Sequence, residues 1–394
     1  MKIAFIAPDV SYQAGPAKVT ASLIERFCED HQISVFSHTI QGIDLSKIKH
    51  HKLPTITRPK FLERITLLVF STIILGVFSL FRKRDFDIIH SAGYFCAFSA
   101  NVITSHFCER EGLRLEKANI IEIPHKSPSQ KLKALDDTMY RRLAAFIEGL
   151  IFGRNSSKAR IVVSQRMKEE FVRHYGDAAE NIIVIPNGVD LQKFNPANRL
   201  IDRDRIRQKH GISRSDLVLI FAGGYWERKG VPYIIEALSL LPRSDVKLFI
   251  SGSGDEKFYS QLAELKHVRE RIIFVSGSSN LWEYYAASDI FVFPTIYEPF
   301  GLVIVEAMAS GLPVITSRSA GAADFITDGV DGLLLSDPSD IDNLVVKIQL
   351  LLSNAELGKT MGECARKTAE KLSWDRVAEK TLEVYNSVLK RERR

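Results

Sequence analysis

The sequence predicts an α/β protein with doubly wound, mostly parallel sheets in two domains. Two observations carry that expectation. Short apolar runs alternate with helical patterns along the whole chain, the βαβα rhythm that closes a parallel sheet. The 394 residues are about twice an ordinary domain, and either half is long enough to bury its own core. In sheets of this kind ligands bind beyond the carboxyl ends of the strands.

In the first half Lys2–Ala7, Ile33–His38, Asp87–His90, Val102–Ser105, Arg160–Val163 and Ile182–Ile185 read as strands. Ala17–Glu29, Leu135–Ser156 and Gln165–Tyr175 read as helices between them. Pro186-Asn187-Gly188-Val189-Asp190 marks a turn into the second domain, and the polar, basic stretch Asn198–Lys209 reads as a linker helix. The second half is regular: Leu217–Ala222, Val246–Ile250 and Arg271–Val275 each run straight into glycine or serine. The expected division is 1–186, 187–372 and a last helix over 373–394.

The composition is that of an ordinary globular protein, with 45% apolar and 25% charged residues and a formal charge of +6. Cys28, Cys96, Cys108 and Cys364 have no Cys-x-x-Cys spacing, which argues against a zinc site and a disulfide framework. The opening Met1-Lys2 followed by Ile3–Ala7 is too short an apolar run for a signal peptide, so a cytoplasmic location is expected.

Charge is concentrated around one segment. Between Lys47 and Arg84 there are nine Lys or Arg and a single acid, Glu63, flanking the uncharged run Ile65–Phe81. That run is long enough for a short membrane span, but strands on both sides of it should share one sheet, which a single crossing forbids. Two readings remain for a helix over 61–83: full burial in the domain, or packing on the sheet with its outer face in the lipid interface. The collar of Arg64, Arg82, Lys83 and Arg84 favours the second, because anionic head groups attract it and burial alone does not require it.

The richest stretch is Glu298-Pro299-Phe300-Gly301-Leu302-Val303-Ile304-Val305-Glu306, which follows the apolar run Ile290–Phe293. Pro299 suits the opening of a helix, and Gly301 admits close approach of a ligand to the backbone. The N–H groups of Phe300, Gly301 and Leu302 would then point out of the helix start, where phosphate binds well. Glu298 and Glu306 flank this cradle; carboxylates repel phosphate and accept from hydroxyls, so one would read a donor sugar and the other a ribose. Arg228 and Lys229 sit at a strand-to-helix turn after Gly223-Gly224 and supply a bidentate fork and a point charge for the same diphosphate.

The Glu-x7-Glu element and the following Ala-Met-Ala-Ser-Gly-Leu-Pro-Val resemble glycosyltransferase family 4, most strongly between Asn187 and Thr316. The resemblance implies the GT-B fold: two Rossmann-like doubly wound domains facing a central cleft, with the last helix returning to the first domain. It implies a retaining, metal-independent sugar transfer from a nucleotide-sugar donor to a glycan or lipid-linked acceptor. On that resemblance Gly15, after the first strand, belongs to the loop over the donor phosphates, and His106, after the strand Val102–Ser105, lies beside the reacting sugar. Glu298, Arg228 and Lys229 take part in catalysis, and Gly15, Arg228, Lys229, Glu298, Phe300, Gly301, Leu302 and Glu306 hold the donor. The segment Met139–Gln165 resembles family members that build lipopolysaccharide cores.

Competing classes leave weaker traces. Asp85-x-Asp87 and Asp202-x-Asp204 have the form of a metal-holding pair, but the first leads into an apolar strand and the second sits in a charged helix. Glycine does not recur as G-x-G-x-x-G after the first strand, which disfavours a dinucleotide oxidoreductase. An epimerase or sugar phosphorylase on the same architecture, and a non-catalytic membrane scaffold, remain as alternatives. Nucleic acid is not an expected partner.

Overall fold

The structure, a computed structural model, describes residues 1–394 apart from 14, 57–61, 64, 72, 74–85, 96–99, 118–127, 153–158, 177–181, 276–279 and 393–394. The chain forms two compact units, Met1–Asn187 together with Trp374–Arg394, and Gly188–Ser373.

The first unit carries β1 (Lys2–Ile6), β2 (Asp9–Val10), β3 (Gln32–Ser37), β4 (Thr39–Ile40), β5 (Ile48–Lys52), β6 (Ile88–Ala92), β7 (Val102–Ser105), β8 (Ala159–Val162) and β9 (Ile182–Val184). Seven described strands form one parallel sheet in the order β5-β3-β1-β6-β7-β8-β9, while β2 pairs with β4. The chain starts in the middle, winds outward through β3 and β5, and returns through β6. The switch in winding direction therefore falls between β1 and β6. Central strands are apolar on both faces because helices cover both: Ile3, Ala4, Phe5 and Ile6 are all buried. The edge strand β5, Ile-Lys-His-His-Lys, lacks that signature and is half exposed, which hides it in the sequence and blunts the edge against further pairing.

The helical residues 62–63, 65–71 and 73 lie on this sheet. Leu67 packs with Ala4, Ile6, Phe36 and Leu53, and Ser71 is buried, whereas Ile65, Val69 and Ile73 are exposed. Arg64, Arg82, Lys83 and Arg84 lie outside the described residues, as do Asp85 and Cys96.

Three local expectations need correction. The long helix expected over 135–156 runs from Pro128 to Phe152, with proline at the first position, where no N–H is needed. A helix over Glu109–Lys117 was not anticipated, because Gly112 interrupts its pattern. The glycine is there for space: a Cβ would stand 2.5 Å from the Phe107 ring. Asn198–Lys209 is a helix of the second unit and no mere linker. Its Arg199, Arg203 and Arg207 reach the Asp289 carboxylate at 3.3, 2.8 and 2.7 Å. Asp289 also accepts the Val218 N–H at 2.9 Å, so these arginines pin the starts of two central strands.

The helix Trp374–Glu392 belongs to the first unit. Tyr385 is fully buried there, its hydroxyl 2.6 Å from His90 Nδ1, and Arg26 pairs with Asp375 at 2.6 Å.

The second unit carries β10 (Leu217–Ala222), β11 (Val246–Ser251), β12 (Ile272–Val275), β13 (Ile290–Phe293), β14 (Val314–Ser317) and β15 (Leu333–Leu335). Its described strands are all parallel, in the order β12-β11-β10-β13-β14-β15. Here the switch point lies between β10 and β13.

Candidate active site

The loops that leave β10 and β13 are the two that flank the switch point of the second unit, and they carry Arg228, Lys229, Glu298 and Gly301. Trp226 anchors the first loop: it is buried, its Nε1 donates to the Gly223 carbonyl at 2.9 Å, and it stacks on Phe274. Gly230 then starts the next helix from a left-handed conformation, φ 84°, so close to β13 that a Cβ would lie 2.0 Å from the Pro294 carbonyl oxygen. This crossing brings the Arg228 carbonyl to the Ile296 N–H at 2.9 Å and to the Thr295 hydroxyl at 3.3 Å.

The Lys229 stem lies across the end of β10. A Cβ on Gly223 would be 3.2 Å from its Cδ, and its ammonium sits 5.5 Å over the Phe293 ring at the end of β13. From there Nζ reaches the Glu298 carboxylate at 3.1 Å. Arg228 donates to the Tyr297 carbonyl, and its second terminal nitrogen is 3.9 Å from Glu298. Burial pushes the Glu298 carboxyl up, but Lys229, Arg228 and the Phe300 N–H together outweigh it and hold the group below the usual carboxylate range. Two cations thus face one carboxylate, leaving a positive excess at the mouth of the switch point.

The helix after β13 begins at Leu302, with Gly301 as its N-cap at φ 96°. Pro299 accordingly lies before the helix and does not open it. The Phe300 N–H is taken by Glu298, so the expectation of three free amides contracts to the helix start itself. By position, the N–H groups of Leu302 and Val303 have no acceptor within the helix. Segment 298–300 is held by pairing with the chain after β14: Glu298 donates to Ser319 at 3.3 Å, and Gly321 and Ala322 donate to Glu298 and Phe300 at 2.9 and 2.7 Å. Glu306 is buried in the second turn of this helix. It lies near Tyr285, whose phenol is pushed far up by burial and then by the Glu306 charge.

Two further expected residues belong to the first unit. Gly15 is the first residue of the helix Gly15–Phe27 and follows β1, beside that unit's switch point. A Cβ there would meet nothing within 4 Å, so the protein itself does not require glycine. His106 directly follows β7, and burial pushes its imidazole down to about 4, so it is neutral at pH 7. His90, by contrast, is fully engaged within the core, 2.6 Å from Tyr385 and 2.7 Å from Thr104.

Sequence reasoning did not identify Tyr297, Phe293 and Gly223 as parts of the cationic site. All three act through carbonyl, ring or missing side chain, and only their places at strand ends hint at it. Among the described residues no group of three or more His, Cys, Asp and Glu could hold a metal ion, and Asp85 of the first aspartate pair lies outside them. Asp202 pairs with Arg205 at 2.6 Å.

A parallel sheet with cations at its switch point defines an anion-binding α/β protein, and comparison with known proteins narrows the class. The model described as "Glycosyltransferase Family 4" matches residues 14–193, and that described as "Glycosyl transferases group 1" matches residues 202–368. The lipopolysaccharide glucosyltransferase WaaG of Escherichia coli is 30% identical over 253 residues, 64% of this chain and 67% of WaaG. An uncharacterised glycosyltransferase of Methanocaldococcus jannaschii, MJ1607, is 31% identical over 57% of this chain and 59% of its own. A D-inositol 3-phosphate glycosyltransferase of Pseudarthrobacter chlorophenolicus is 33% identical over 56% of this chain and 54% of its own. The chain belongs to glycosyltransferase family 4. The matches span roughly half to two thirds of these curated relatives. The fold is GT-B. It matches the crystal structure of WaaG with a TM-score of 0.79 at 22% identity, covering 97% of this chain and 99% of that one. It also matches Anabaena HepE in complex with UDP and glucose, with a TM-score of 0.71 at 19% identity over 98% and 100% of the two chains.

Proposed function

We propose that this chain is a retaining, metal-independent glycosyltransferase that moves a sugar from a nucleotide-sugar to a glycan or lipid-linked acceptor at the cytoplasmic membrane face. The observation that carries the proposal is the Arg228–Lys229–Glu298 cluster over the switch point of the second unit. Arg228 and Lys229, with the helix start at Gly301 and Leu302, hold the donor diphosphate and stabilise the charge that grows as it leaves. Glu298, kept ionised, orients the sugar hydroxyls, and Glu306 serves the ribose. Gly15 leaves room for the donor phosphates against the backbone.

In this mechanism the bond from the anomeric carbon to the diphosphate oxygen breaks while the acceptor oxygen forms the new bond on the same face. The acceptor proton passes to the departing diphosphate, and retention needs no enzyme nucleophile. Neutral His106 hydrogen-bonds a sugar hydroxyl beside the reacting carbon.

The membrane location is supported by the exposed line Ile65, Val69 and Ile73 on a helix whose opposite side is core. These residues recur every fourth position and present an apolar outer face suited to the lipid interface. Among the described residues no helix is long and apolar enough to cross a membrane. The relatives that act on lipopolysaccharide support a lipid-anchored glycan as acceptor.

A thermal-shift screen with UDP-glucose, UDP-galactose, GDP-mannose and ADP-glucose tests the donor site, because a ligand of the native state raises its melting temperature. The stabilising donor should be hydrolysed slowly by the wild type and not by Lys229→Ala. A folded Lys229→Ala protein that turns over donor at the wild-type rate would sink the proposal. Product analysis with and without acceptor separates transfer from epimerisation.

A further inference from the structure

Tied to the chain on both sides of His106 is a buried acid for which the chemistry above has no use. Glu148, in the helix Pro128–Phe152, is fully buried. Its carboxylate accepts the Tyr175 hydroxyl at 2.6 Å, the Tyr94 hydroxyl at 2.9 Å, and the backbone N–H groups of Glu109 and Arg110 at 2.8 and 3.2 Å. The Cys108 thiol is 3.9 Å away. Burial pushes the Glu148 carboxyl up against the pull of these donors.

The arrangement is more specific than a satisfied core acid requires. Glu109 and Arg110 are the first two residues of the helix Glu109–Lys117, whose orphan N–H groups need acceptors. They stand just after His106. On the other side Ser105, the residue before His106, donates its hydroxyl to Tyr94 at 3.0 Å, and Tyr94 donates in turn to Glu148. One carboxylate therefore ties the chain down immediately before and shortly after the histidine. Orphaning any of these buried groups costs more than the bond itself contributes, so the connections hold as a unit.

We propose that Glu148 is a positioning residue for sugar transfer, fixing through Tyr94, Ser105 and the Glu109 and Arg110 amides the backbone that presents His106 to the reacting sugar. The proposal rests on the role given to His106 above. It predicts an effect on turnover without an effect on donor affinity, since the phosphate-binding side chains belong to the other unit.

The test uses the full chain with the nucleotide-sugar that stabilises it most, read as donor hydrolysis well below the melting temperature. Glu148→Gln should lower kcat about tenfold or more, because small misplacements of a catalytic group are costly, while the donor KM stays within twofold. Tyr94→Phe keeps the ring and breaks only the Ser105 branch, so it should lower kcat less, again at unchanged KM. His106→Ala with Glu148→Gln should be no slower than His106→Ala alone. A lowered melting temperature with wild-type kcat in both Glu148→Gln and Tyr94→Phe would overturn the proposal, as would losses that multiply in the double variant. Wild-type turnover in His106→Ala overturns it too. If Lys229→Ala is then inactive, the donor site stands; if it is also wild type, the glycosyltransferase proposal itself has failed.

Discussion

The Lys229 ammonium stands 3.1 Å from the Glu298 carboxylate, above the last residues of the two strands between which the sheet reverses its winding. Both side chains are only about one-seventh exposed, at 15% and 14%, and Glu298 is the carboxylate that compensates Lys229. Lys229→Met leaves Glu298 to Arg228 and the Phe300 N–H and should therefore destabilise the second unit by about 1–3 kcal/mol, as for loss of a charged hydrogen bond. Adding Glu298→Gln should recover most of it. Urea denaturation of the two variants measures both, and a loss below about 1 kcal/mol in the single variant would mean that solvent already screens the pair.

Acid should weaken the first unit through the buried His90 and the part-buried His106. His90 is pushed down to about 3 by burial and by His106, whereas in the unfolded chain it titrates near 6.5. The unfolded state therefore takes up the proton first. The contribution of His90 is complete above about pH 6.5 and is lost as pH falls toward 3, at up to about 1.4 kcal/mol per pH unit. His106, pushed down to about 4, adds a second such slope. Stability curves between pH 7 and 4 should be shallower for His90→Gln than for wild type, and equal slopes would contradict the assignment.

Two glycines should respond oppositely to the same substitution. Gly230→Ala forces a Cβ against the Pro294 carbonyl at a left-handed backbone and should cost more than about 2 kcal/mol. Gly15→Ala meets open space and should leave the melting temperature unchanged or raise it. If the loop after β1 covers the donor phosphates, Gly15→Ala should still weaken donor binding. Unchanged donor affinity would remove Gly15 from the site.

The helical residues 65–71 and 73 offer a similar contrast. Replacing Ile65, Val69 and Ile73 together by serine should abolish co-sedimentation with phosphatidylglycerol vesicles at little cost in stability. Leu67→Ala, on the opposite side, should cost about 2–5 kcal/mol by opening the core. Vesicle binding that survives the triple substitution refutes an interfacial role for this face.

Tyr225 holds a left-handed backbone, φ 53°; the residue is 72% exposed, with its ring 5.5 Å from the Arg228 guanidinium. Tyr225→Asn should raise stability by about 1 kcal/mol, since asparagine tolerates that conformation. A fall in the melting temperature would show that the ring contributes more to the loop than its backbone costs.

The central strands were legible because burial on both faces leaves uninterrupted apolar runs, as in Leu217–Ala222 and Ile290–Phe293. The basic edge β5 and the helix holding Gly112 were not, since exposure and a tertiary packing need override local pattern at those positions. In the site, Arg228, Lys229 and Glu298 were legible as charges at strand ends. The Glu298–Phe300 hydrogen bond and the helix start at Leu302 were not. Nor was the Glu148 network, whose members are scattered from Tyr94 to Tyr175 and meet only in the folded unit.

The helix Trp374–Glu392 completes the unit that the chain began with Met1, and it does so by seating Tyr385 against His90. During synthesis the second unit has all its residues before that helix emerges, while the first still lacks a wall of its core. The later-made half is therefore free to fold before the earlier one is finished. Loss of residues 374–394 would be felt in the sheet that carries His106, through the empty place left beside His90.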